Sequence, residues 1–209
     1  MDIRKISKDA DEVATKILSL TTRKDMGVFY LVWSVYFPII GVVQLILHIF
    51  LGSSYIYPIS VSLVELAIAV PLIFLTSKMF VRTKVEYLRY KYPGFKVGRI
   101  AIILPILVST FFALIIGSTI AGASKFSLIV YFSSYYALIL VLGLRVFSKV
   151  LFKFKMTDTK FYDILAFVAL LALPVGELIL WWFYVIFLLT WSLAGFMSLR
   201  DSGVIHGLS

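Results

Sequence analysis

The chain has 209 residues, 61% of them hydrophobic and 15% charged, with no cysteine and a net charge of +9. Soluble domains run nearer half apolar and about a quarter charged, so a water-soluble globular domain is excluded, and recurrent uncharged runs of about 18 residues or more read as membrane spans. The lack of cysteine excludes disulfides, thiolate nucleophiles and thiolate metal ligands.

Residues 3–20 predict an amphipathic helix. Ile3, Ile6, Ala10, Val13, Ile17 and Leu20 recur at alternating spacings of three and four, and Lys5, Lys8, Asp9, Asp11, Glu12 and Lys16 fall mostly off that stripe. Such a helix lies along the inner membrane surface of its own bundle or docks a partner. The charged N-terminus has no short apolar core followed by a small-residue cleavage site, so the first span is expected to act as its own insertion signal. The organisation expected is a cytoplasmic segment over 1–25 and a single transmembrane bundle over 26–209.

The spans expected next are 27–51, 56–78, 99–122 and 126–147, with Gly52-Ser53-Ser54 as a short turn. Val81, Val85, Leu88 and Tyr92 continue helical spacing, so the second helix extends until Pro93-Gly94 stops it. Arg145, Lys149 and Lys153 extend the fourth in the same way, and Thr157 or Asp158 would cap the fifth. From Ile164 to Leu199 the only charge is Glu177. One helix over that run would be ~54 Å long against a hydrocarbon core of ~30 Å. Pro174 and Gly176 therefore predict a turn between spans at 161–175 and 178–199, with Glu177 solvated and Trp181 and Trp182 at the interface. The fold expected is an all-α bundle of six transmembrane helices; the alternative is five plus a re-entrant segment over 174–182.

Charge sets the orientation. The N-terminal segment and the connections over 78–99 and 145–160 hold 18 of the 20 Lys and Arg residues. By the positive-inside rule both termini and both long connections are cytoplasmic. The same distribution explains the net charge without nucleic acid. Arg82, Lys84, Arg89, Lys91 and Lys96, interleaved with tyrosines, make a basic surface suited to anionic headgroups or an acidic partner, although topology alone also accounts for them.

Glu65 is the sharpest candidate residue, because an ionisable group deep in a span is costly and usually faces the bundle interior or a water path. Counting outward from the turn puts Gln44 within about two helical turns of it, so the two are expected to meet. A proton or cation site would use Glu65 with Gln44, Ser62 and Tyr135. The plainer reading is a protonated structural glutamate that ties helices together. Ser133, Ser134, Tyr135 and Tyr136 line a polar cavity or bond to backbone carbonyls. Ala113, Gly117 and Ala121 form a small-residue ladder, expected to pack within the bundle rather than between copies.

There are two histidines, and no zinc-hydrolase, serine-hydrolase, phosphate-loop or dinucleotide motif occurs. No metal and no cofactor is expected. Three functions remain: a non-enzymatic membrane subunit docking a partner, with a transport complex as one setting; a self-contained transporter or channel built on Glu65; and an intramembrane enzyme, which lacks the usual catalytic constellations. The bilayer is the one partner expected outright; oligomeric state is not legible.

Overall fold

A computed structural model describes the backbone of residues 3–52, 54, 56–91, 100–120, 125–142, 159–179 and 183–203. The described residues form six helices and no strand: α1 (Ile3–Leu51), α2 (Ile56–Lys91), α3 (Ile100–Ile120), α4 (Lys125–Leu142), α5 (Phe161–Ile179) and α6 (Phe183–Asp201). Stretches of α1, α2 and α6 are long and apolar enough to cross a membrane; α3, α4 and α5 carry shorter apolar stretches. The outward faces are apolar too, with Ile49, Phe50, Leu63, Leu75, Phe126 and Leu189 exposed. That is the surface a bilayer covers and water does not. The composition thus leads to a helical membrane protein.

The surface helix over 3–20 and the first span are one helix. α1 is 49 residues, or ~72 Å at ~1.5 Å per residue. Residues 21–26, TTRKDM, contain neither Gly nor Pro to break it, and Thr22 and Arg23 are buried against the bundle rather than looped out. Pro38 and Pro71 lie inside α1 and α2 without ending them. α1 stops at Gly52, whose φ of +53° suits a residue without Cβ and whose N–H donates to His48 O at 2.9 Å. α2 runs on to Lys91, as the helical spacing up to Pro93 predicts.

Each helix packs on its neighbours in sequence and α6 returns to α1, closing a ring; α4 on α5 is the thinnest contact. α1 and α2 are antiparallel, with Asp25 level with Thr83, Phe29 with Phe80 and Gln44 with Glu65. α1 and α6 are antiparallel too, through Gly27 with Leu199, Leu31 with Gly195 and Phe37 with Phe187. At this crossing the backbones approach closely. A Cβ on Gly27 would lie 2.7 Å from Leu199 Cγ, and one on Gly195 would lie 2.7 Å from Leu31 Cγ. The core inside the ring is aromatic: Trp191 stacks on Phe187 at 4.7 Å between centroids and meets Tyr30 edge-on at 5.3 Å.

Three expectations need correction. Pro174 and Gly176 do not break the fifth helix, which continues through Glu177 to Ile179, and α6 begins at Phe183. Residues 180–182, with Trp181 and Trp182, fall outside the described residues, as does the side chain of Glu177. Pro174 removes the N–H that would satisfy Leu170 O. The Tyr135 hydroxyl donates to that carbonyl instead, at 2.8 Å, so the helix tolerates the proline. Second, α5 begins with Lys160 at the cap position. Its N–H donates to Asp163 Oδ2 at 2.9 Å, the return half of a capping box; Thr157 and Asp158, expected to cap this helix, lie outside the described residues. Third, Ala113 and Gly117 face outward, with nothing within 4 Å of a Cβ on Gly117. Helix hand places that ladder on the outer side of α3, so it is not the inner seam; Ala121 lies outside the described residues. The extension of α4 through Arg145, Lys149 and Lys153 also lies outside them.

Candidate functional site

Among the described residues the ring holds a polar cluster toward each end. Toward the Gly52 end, α1 and α2 leave the turn antiparallel, which brings Gln44 and Glu65 to one level. Gln44 Nε2 donates to Glu65 Oε1 at 2.7 Å, and both side chains are half-buried. The pairing expected from counting along the two spans is present. Glu65 lies nine residues into α2 from Ile56, ~14 Å along the axis, nearer the turn than the far end. Ser62 is buried one helical turn before Glu65, and Tyr57 Oη donates to Gln44 O at 3.4 Å. His48 packs against Tyr57, 5.4 Å between ring centroids. The cluster offers a carboxylate, an amide and hydroxyls, which suits binding a proton or small cation. Tyr135 stands elsewhere: it is buried in the contact of α4 with α5, where its hydroxyl meets the Leu170 carbonyl.

At the opposite end lies a cluster that reading the sequence missed. Arg23 Nη1 donates to Asp163 Oδ2 at 2.7 Å, with side-chain exposures of 4% and 1%. Tyr30 Oη donates to Asp163 Oδ1 at 3.1 Å, and Arg23 Cζ lies 5.4 Å from the centre of the Tyr162 ring. Tyr162 Oη donates to Asp201 Oδ2 at 2.9 Å, and Ser198 Oγ donates to Arg23 O at 2.8 Å. These bonds tie α1, α5 and α6 together. Beside them Thr83 Oγ1 donates to Asp25, joining α2 to α1. In a buried setting the carboxylate needs its positive partner and its full set of donors. The available signal was an arginine just before one span and an aspartate in the first turn of another, at the same end; counting Lys and Arg by connection placed Arg23 in the N-terminal segment and did not weigh Asp163.

Of the basic surface, Arg82 is exposed and pairs with Glu86 at 2.8 Å. Lys84, Arg89 and Lys91 lie on the α2 backbone with side chains outside the described residues, and Lys96 lies outside them altogether. Trp33 and Trp191 are packing residues of the aromatic core. Among the described residues no group of three or more His, Asp or Glu side chains is placed to hold a metal ion. The chain matches no protein-family model, no curated protein and no solved structure.

Proposed function

We propose that the protein is a non-enzymatic integral membrane protein that docks a partner, as a subunit of a membrane complex; a transport complex is one setting. In this reading the six helices are six spans, and both termini and the two basic connections are cytoplasmic, following the distribution of Lys and Arg. The observation that carries it is the unbroken α1. Its first part is helical yet leaves Val13 and Ile17 59% and 60% exposed, while Arg23 anchors it to α5 through Asp163. Over residues 12–20 the helix so anchored buries Leu18 on one side and leaves Val13 and Ile17 uncovered on the other.

Affinity capture in mild detergent tests this, comparing the full chain with one lacking residues 3–20. A protein recovered in stoichiometric amount with the full chain and lost with the deletion supports docking. Equal recovery by both, or recovery of nothing, counts against it.

The half-buried Gln44–Glu65 pair favours a second reading, a small transporter or channel with Glu65 as its proton or cation site. Proteoliposomes containing the purified chain would then pass protons or monovalent cations, and Glu65→Gln would abolish the flux. The enzyme reading has the least support: Gln44, which donates to Glu65, is an amide and serves neither as base nor as nucleophile.

A further inference from the structure

The stripe on the first part of α1 has a period that names its occupant. Ile3, Ile6, Ala10, Val13, Ile17 and Leu20 are spaced three, four, three, four and three apart, the a and d positions of three heptads. Lys24 takes the next a position and ends the pattern. The backbone is helical across all of it.

Over residues 12–20, where the side chains are described, the chain's own bundle leaves Val13, Ile17 and Leu20 exposed. Over residues 12–26 the buried residues are Leu18, Thr22, Arg23 and Met26. At about 100° per residue these lie across the helix from Val13, Ile17 and Leu20. The outward side continues up α1 as Val35, Val42 and Ile46, all exposed. A second α1 therefore has room to approach this side over residues 12–20, below the level at which α6 packs on Gly27 and Leu31.

Lipid is the competing cover, and length argues against it. Measured along the helix axis from Gly27, Ile17 lies ~15 Å and Val13 ~21 Å away. The headgroup region adds only roughly 5–8 Å beyond the hydrocarbon. Copies of one chain also insert the same way round. Their helices then emerge parallel and level, as a parallel two-stranded coil requires. A seam of about 27 Å is smaller than the ~800 Å² per partner of a standard stable interface. Confinement in one membrane offsets that by raising the effective concentration.

We infer that residues 3–20 form a parallel, in-register coiled coil with the same residues of a second copy, making the protein a homodimer. This rests on the cytoplasmic placement proposed above. The absence of cysteine gives a clean test in proteoliposomes of the purified full-length chain. A disulfide needs Cα atoms roughly 4.4–6.8 Å apart, which only seam positions meet. Under mild oxidation V13C and I17C become disulfide-linked dimers, whereas T15C, exposed on the other side of the helix, stays monomeric. I17D lowers the dimer fraction seen by light scattering and leaves the melting of the bundle unchanged. Failure of both seam variants to cross-link, equal cross-linking at all three positions, or quenching of a probe on V13C by lipid-phase quenchers overturns the inference. A monomer in proteoliposomes that still captures another protein through residues 3–20 overturns the homodimer and leaves the docking function standing.

Discussion

Asp163 has both carboxylate oxygens filled by three donors, from Arg23, Tyr30 and the Lys160 backbone. Removing one partner of a buried ion pair typically costs ~3–5 kcal/mol because the other is left charged, while replacing both with apolar groups is often neutral. Asp163→Ala is therefore expected to lower stability by ~3 kcal/mol or more, and the double variant Arg23→Met with Asp163→Leu to recover most of it. Denaturant unfolding in micelles measures both. Tyr135 makes a second test at this scale. Tyr135→Phe leaves Leu170 O without a donor, at an expected cost of ~1–3 kcal/mol. In a Pro174→Ala background residue 174 regains its N–H, so the same change is expected to cost much less. A double-mutant cycle that finds the two substitutions additive refutes this account of how α5 keeps its proline.

At the scale of elements, α1 and α6 meet through glycines. Gly27 and Gly195 each leave only 2.7 Å between a would-be Cβ and a leucine Cγ, with backbone oxygen at 3.0 and 3.1 Å behind it. Gly195→Ala is expected to destabilise by ~1–3 kcal/mol, the usual cost of overpacking. Gly117→Ala, facing open space in α3, is expected to stabilise by up to ~1 kcal/mol through helix propensity. Thermal melts of the two variants should move in opposite directions. From sequence, the ladder of Ala113, Gly117 and Ala121 looked like the packing seam and the Gly27–Gly195 crossing went unseen. Small-residue spacing within one helix does not say which way the stripe faces, and that crossing joins residues 168 positions apart.

For the molecule as a whole, six spans with both termini cytoplasmic predict opposite labelling of the two ends of the bundle, at the α1–α2 turn and after α6. In intact spheroplasts of a cysteine-free chain, Ser54→Cys is expected to react with a membrane-impermeant maleimide. Ser202→Cys is expected to react only after permeabilisation, and the reverse pattern overturns the orientation. The sequence by itself determined the helical membrane class, the run of α2 to Lys91 and the meeting of Gln44 with Glu65. All three follow from quantities that accumulate along one chain: apolar length, helical period, and the register imposed by a turn at Gly52. The tertiary structure decided the continuity of α1, the passage of α5 through Pro174, the outward facing of Gly117 and the Arg23–Asp163 pair. Each of these depends on a neighbour distant in sequence. Tyr135 supplies the bond that Pro174 forfeits, and the closing of α6 onto α1 brings Ser198 to Arg23, beside the aspartate that accepts its charge. Periodicity reports what one helix requires, and only packing decides which neighbour meets that requirement.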